Sequence, residues 1–211
     1  MNVREDQAAK LRSVGPSARK EKRADTRRRL LAAARDMFRV RGVEQVPMED
    51  IAAAAAVSRA TIYLHFPGKS ALLEALLEED WAGQLRLFER LSDIGLNDGG
   101  QIAAWVLRVA EGMRKARDSF GIHWAAMGQN PALTVRHHEH RGELARLLLL
   151  AMDGEGQGGV PRTVEAELIV AEIEHFATAA AIGWSDAQVA AALPLVTTRI
   201  YDFGAGSRAK F

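Results

Sequence analysis

The chain has 211 residues, 48% of them hydrophobic and 26% charged, with no cysteine. Those proportions describe a globular chain that buries a core without disulfides or metal staples, and the missing thiols exclude a disulfide framework, a cysteine nucleophile and a cysteine metal site. No apolar run approaches the ~20 residues of a membrane span, and the first twenty residues hold no apolar stretch of a secretory signal, so no membrane and a cytoplasmic location are expected. The net charge of +1 hides an asymmetry. Residues 1–69 carry 15 Lys/Arg against 8 Asp/Glu, a net +7, and the remainder carries 13 against 19, a net −6. Charge alone fits a polyanion-binding head on an acidic body and a solvated charged tail equally well.

Residues 1–23 are polar and basic and read as a flexible tail. The cluster Arg19, Lys20, Lys22, Arg23, Arg27, Arg28 and Arg29 gives either a DNA-reaching arm or a solubilising segment. A helix is expected from Asp25 or Thr26, both good N-caps, through Leu30, Leu31, Ala34, Met37 and Phe38 to a stop at Gly42. Pro47 suits the first position of a second, two-turn helix, with Glu49 and Asp50 at its positive end. Ser58 is an N-cap for a third helix, Arg59–Phe66, which Pro67 and Gly68 end. A long amphipathic helix is predicted from Lys69 to Asp93, and another over residues 101–118. Residues 119–130 look less regular. Further helices are predicted from Pro131 to Asp153 and over residues 162–184, the latter nearly apolar all round from Leu168 to Trp184. Ser185 and Gln188 form a capping box opening a last helix over 185–203, where Pro194 should introduce a kink. No β pattern appears, and the fold class is all-α. A helix apolar on every side must be buried on every side, so the last two helices are expected to meet a second copy, with Ala177 and Ala180 at the contact.

Two short helices joined by a tight turn have the length of a helix-turn-helix. Ile51, Ala52, Val57, Ile62 and Phe66 can share one small core, which leaves Ser58, Arg59, Ala60, Thr61, Tyr63 and His65 to face outward from the second helix. That is how a recognition helix meets a major groove.

The stretch RRRLLAAARDMFRVRGVEQVPMEDIAAAAAVSRATIYLHFPGKSALLEAL, within residues 24–77, resembles the DNA-binding domain of the TetR family of transcriptional regulators. Its strongest elements are the aliphatic run ending in Phe38 and Gly42, the segment MEDIAAAAAVSRATIYLHF, and the FPGKSALL that follows. The resemblance implies an N-terminal helix-turn-helix domain over 24–69 and a larger helical ligand-binding and dimerisation domain over 70–203, with 204–211 as a C-terminal tail. It implies a homodimer that binds a palindromic operator in double-stranded DNA, is most simply a repressor, and is released by a small, largely apolar effector. It implies neither an enzyme nor a cofactor. Ser58 would cap the recognition helix near a phosphate. Arg59, Ala60 and Thr61 would lie at base edges or phosphates, Tyr63 would donate to a phosphate, His65 would lie near the backbone or bases, and Lys69 would place its charge on a phosphate. The sequence departs from the family pattern at Pro47, where a hydroxyl residue is common, and at Ala56, where glycine is usual. If Ala56 needs positive φ, it costs roughly 1 kcal/mol.

An effector pocket is expected among Trp81, Phe88, Trp105, Met113, Phe120, Trp124, Met127 and Phe176, although aromatics at helical spacing serve equally as plain core. Arg114, Arg117, His123 and His175 are possible polar anchors there. The run His137-His138-Glu139-His140 lacks the second histidine of a zinc-protease motif, because Gly142 stands in its place. It reads as an exposed polar helix face, with a metal site needing further ligands such as His123, His175 or Glu172. Gly68-Lys69-Ser70 is not a phosphate-binding P-loop, because Tyr63 stands where that pattern requires glycine. A small-molecule enzyme or metal-dependent hydrolase using the histidine cluster, and a non-specific architectural DNA binder using the basic tail, are the competing readings.

Overall fold

The computed structural model describes residues 16–94, 96–116, 120–153 and 160–208, and among them every regular element is a helix. In chain order these are α1 (Pro16–Arg41), α2 (Met48–Ala54), α3 (Arg59–His65), α4 (Lys69–Glu89) and α5 (Leu91–Ile94). They continue with α6 (Gly99–Ala116), α7 (Phe120–Gln129), α8 (Pro131–Asp153), α9 (Val160–Ile182) and α10 (Asp186–Arg208). The chain divides between Leu76 and Leu77, inside α4, into two compact units. That is several residues beyond the boundary expected at Lys69, because Leu72, Leu73 and Leu76 are buried in the first unit. No helix among the described residues is long and apolar enough to cross a membrane.

In the first unit α1 packs on α2 and α2 on α3. Leu30, Leu31, Ala34 and Phe38 recur on one face of α1 and are buried with Val46, Ile51, Ala52, Ile62 and Phe66. Full burial of a side chain such as Ile51 or Ile62 contributes roughly 1.5–3 kcal/mol over exposure. The helix α1 begins at Pro16, nine residues before the expected cap at Asp25. The first fifteen residues of the basic segment lie outside the described ones, but 16–23 are helical rather than a flexible tail. The reason is local. Residues 18–24 are good helix formers, Ser17 donates to Glu21 at 3.1 Å, and the Thr26 hydroxyl bonds back to the Lys22 carbonyl instead of capping.

The second unit is built around α9, which packs on α6, α8 and α10. Trp105 and Val106 of α6, Leu144 and Leu148 of α8, Ile169, Ile173 and Phe176 of α9, and Ile200 and Phe203 of α10 form its core. Three further expectations are corrected here. The helix from Lys69 stops at Glu89, whose carbonyl accepts from the Ser92 hydroxyl at 2.8 Å, and α5 follows separately. Residues 120–129 form a regular helix despite glycines at 121 and 128, because Ile122 and Ala126 give it a buried stripe one turn apart and it packs on α8. The helix α10 runs through Pro194 to Arg208, so the chain from 204 to 208 is no tail. Gly204 is itself buried, so close to Leu96 that an added Cβ would lie 3.1 Å from that residue's Cβ. The capping box forms as read: the Ser185 N–H donates to the Gln188 side chain, and the Gln188 N–H to the Ser185 hydroxyl.

The all-round apolar character of α9 has a two-sided explanation. Its inner stripe, including Ala177 at 0% exposure, belongs to the unit's own core, so Ala177 is not at an outer contact. Ala180 packs partly against the same core. Its outward apolar residues include Val160, Leu168 and Ile182, each more than half exposed.

Candidate nucleic-acid interface

The turn between α2 and α3 follows from its hydrogen bonds. The Ala56 N–H bonds to the Ala53 carbonyl and the Val57 N–H reaches back to the Ala52 carbonyl, the paired closure of a Schellman motif. That motif needs a left-handed residue at Ala56, whose φ is 53°. The strain foreseen for an alanine there is therefore present, at roughly 1 kcal/mol. Arg29 of α1 donates to the Ala55 carbonyl at 3.2 Å and closes the end of α2. Pro47 sits at the N-cap of α2, one position before the expected first turn, and makes no side-chain capping bond.

Ser58 caps α3: its hydroxyl oxygen accepts the Thr61 N–H at 3.1 Å and lies 2.8 Å from the Thr61 hydroxyl. Arg59, Ala60 and Tyr63 are exposed, and Thr61 and His65 are partly covered. Ile62 and Phe66 point into the core. The structure thus brings Ser58, Arg59, Ala60, Thr61 and Tyr63 onto one short outward surface. His65 lies at the far end of α3, where burial first, and then the charges of Arg23 and Arg27, hold its pKa below the usual value. Arg27 stacks over Phe66 at 5.2 Å. The ammonium of Lys69 is engaged locally: it donates to the Val43 carbonyl at 2.9 Å and the Glu44 carbonyl at 3.4 Å, tying the α1–α2 loop to the start of α4.

One acidic residue at this surface escaped the sequence reading. Glu49 of α2 accepts the Tyr63 hydroxyl at 3.1 Å and pairs with the Arg59 Nε at 3.0 Å, both on the same carboxylate oxygen. The Arg59 guanidinium lies 5.9 Å from the Tyr63 ring centroid. Its own backbone N–H and then the Tyr63 hydroxyl hold the Glu49 carboxyl below its usual pKa, so it is ionised at neutral pH. Glu49 was visible only as a favourable first-turn acid, and nothing local links it to a residue fourteen positions on. Arg41 pairs with Asp50 and also donates to the Gln45 carbonyl, which fixes the loop before α2.

The expected effector residues do not gather at one place. Phe88, Trp105 and Phe176 are core, with Met113 packed against them. Trp105 is fully buried, meets Phe88 edge-on at 5.0 Å, and donates its indole N–H to the Leu87 carbonyl at 2.8 Å. These are packing positions. Met127 is half-buried on α7. The side chains of Phe120 and Trp124, and Arg117, lie outside the described residues. Trp81 stands apart from that core, with His140 stacked on it at 5.3 Å and His137 at 5.9 Å. The histidine run is therefore not an exposed face. His138 and Glu139 are exposed, whereas His140 is buried and bonded to Gln84 at 2.7 Å, and His137 is mostly covered. Burial pushes the His140 pKa down to about 4. The His137 Nδ1 is buried without a hydrogen-bond partner among the described residues. No group of three or more metal-ligating side chains occurs among those residues.

The sequence pattern of the bacterial regulatory proteins of the tetR family matches residues 30–76, which span the last part of α1, all of α2 and α3, and the start of α4. Residues 30–76 thus carry the DNA-binding pattern of that family. It is 29% identical to the HTH-type transcriptional regulator UidR of Escherichia coli K12, in an alignment covering 70% of this chain and 85% of that protein. Among solved structures it is similar to Salmonella enterica GusR, with a TM-score of 0.65, 22% identity, and coverage of 84% of this chain and 94% of that one. A further similar structure is NalD, the secondary repressor of the MexAB-OprM multidrug efflux pump in Pseudomonas aeruginosa, with a TM-score of 0.57, 19% identity, and coverage of 82% and 94%. The fold of these regulators is therefore present along most of the chain.

Proposed function

We propose that this protein is a homodimeric, cytoplasmic repressor that reads a palindromic operator and is released by a small effector. Residues up to Leu76 serve as the DNA-binding domain, and those beyond serve effector binding and dimerisation. The observation that carries the reading is the Ser58-capped α3 with Arg59, Ala60 and Tyr63 exposed on one surface above a buried Ile51–Ile62 core. Arg59 reads a base edge, bidentate Arg–guanine being the commonest specific contact. Ser58, Thr61 and Tyr63 contact phosphates or adjacent edges, and phosphate contacts set the register of the helix in the groove. Arg23 and Arg27 extend the basic surface beside His65, so the N-terminal basic segment acts from a helix. Lys69 contributes mainly by fixing the loop.

Self-association falls to the outer faces of α9 and α10. A groove of about 640 Å³ runs between them, lined by Leu168, Ala171, Phe176, Trp184, Leu195 and Val196, with Glu172 and Arg199 also at it. Leu195 is 72% exposed and Leu168 55%. A second copy would bury that surface with twofold symmetry. The effector is assigned to the surroundings of Trp81 and His137. A buried polar atom left unpaired costs about 1–3 kcal/mol, so an effector with one polar group beside an apolar body would gain by reaching His137 Nδ1. Because α4 is continuous from Lys69 to Glu89, an effector near Trp81 can favour one arrangement of the two heads.

Selection of random double-stranded DNA by the purified protein tests the reading. It predicts an enriched palindrome whose half-site centres are about 10 bp, or a multiple, apart. No enrichment by a folded dimer would overturn it.

A further inference from the structure

Glu49 places a negative charge on the surface that must approach a polyanion. It is not buried, and among the described residues its side-chain partners are the two large side chains of the recognition surface. Three contacts close a triangle: Glu49 to Arg59 at 3.0 Å, Glu49 to Tyr63 at 3.1 Å, and Arg59 over the Tyr63 ring at 5.9 Å. Without such a holder, Arg59 is a long side chain, 74% exposed, with many rotamers to lose on binding. The carboxylate approaches Arg59 most closely at Nε.

We propose that Glu49 is a specificity-determining positioning residue, holding Arg59 and Tyr63 in one arrangement for base reading while its charge opposes contacts made to phosphates alone. The inference rests on the DNA-reading role of α3 proposed above. Two physical effects combine. Pre-ordering Arg59 lowers the entropy lost when it meets the correct base edge and gives no such advantage on a wrong one. The carboxylate also repels nearby phosphates, so a complex that lacks the compensating base contact is weakened. Together they raise the ratio of specific to non-specific binding without Glu49 itself needing to touch DNA.

Glu49→Ala and Glu49→Gln separate the two effects. Alanine removes both the acceptor and the charge, whereas glutamine keeps an acceptor for Tyr63 and Arg59 and removes only the charge. The experiment is selection from random duplexes with each full-length protein, followed by titration of a selected and a scrambled duplex across salt. For Glu49→Ala the expected result is a three- to tenfold rise in affinity for the scrambled duplex and a flattened base preference at one position per half-site. For Glu49→Gln the same rise is expected with the base preference retained. Thermal unfolding of both variants should stay near wild type, because the residue is exposed. If Glu49→Ala keeps both the wild-type base preference and the wild-type ratio of specific to scrambled affinity, the assignment is overturned. If the wild type itself enriches no sequence, the DNA-reading role of α3 fails first and takes this inference with it.

Discussion

The two units of this protein are held together by different kinds of information. The first is assembled from short-range rules: a Schellman turn at Ala56, a serine cap at Ser58, a loop tied by Lys69, and a small core whose members lie within about fifty residues of one another. The second depends on side chains that meet across long stretches of chain, such as His140 on Trp81 and Gln84, or Arg162 on Phe203. The contrast shows where polar groups are tolerated. In the first unit the Glu49 carboxyl stays at the surface and is held below its usual pKa. In the larger unit, His140 is buried and kept neutral.

The largest expected effect that would break this contrast lies at Trp105. Trp105→Ala should cost about 3–5 kcal/mol, because it opens a cavity in the core and orphans the Leu87 carbonyl. Chemical denaturation measures it, and a loss below about 1 kcal/mol would place Trp105 outside the core. Next comes the pH dependence at His140. Its folded pKa of about 4 lies below the ordinary value of 6.5, so between those values the unfolded chain binds more protons. Stability attributable to this group therefore falls as pH drops from about 6.5 towards 4, by about 3 kcal/mol in all, and is level above that window. His140→Gln should flatten the curve there, as seen in unfolding midpoints at a series of pH values.

Smaller effects sharpen the account of the first unit. Ser58→Ala should destabilise by about 1 kcal/mol through the lost cap. Ala56→Gly should stabilise by roughly 1 kcal/mol or somewhat less, since glycine accepts the 53° φ without a Cβ clash but loses more entropy on folding. A destabilised Ala56→Gly would mean the turn is not strained. At the outer face, Leu168→Glu with Leu195→Glu should leave the fold intact and produce monomers in sedimentation, because both side chains are exposed in the single subunit. An unchanged dimer would move the contact elsewhere. The exposed Arg28–Asp25 pair should contribute about 0.5 kcal/mol or less, as read by a double-mutant cycle.

The difference between the units also explains what was readable from the residues. The all-α class, the helix-turn-helix, the Ser58 cap, the strained Ala56 and the Ser185–Gln188 box all follow from patterns a few residues long. The start of α1 was misplaced because Asp25 and Thr26 look like caps, yet Asp25 pairs forward with Arg28 and Arg29 within a helix already under way. The helix α7 was missed because its two glycines lower propensity while packing on α8 supplies the stability. The histidine run was misread because i,i+3 spacing places His137 and His140 on one face without revealing that Trp81, more than fifty residues earlier, covers it. Glu49 was missed for the same reason on a smaller scale: its partners become visible only once α2 and α3 are folded against each other.

The central claim is that the exposed surface of α3 reads sequence. It is tested most directly by the ratio of affinities for the selected operator and a scrambled duplex of equal length, at about 150 mM salt, for wild type and Arg59→Ala. The account predicts a wild-type ratio of about a thousandfold or more, falling at least tenfold in Arg59→Ala, with affinity for the scrambled duplex changed far less. Equal affinities for the two duplexes in the wild type, or an unchanged ratio in the variant, would contradict it.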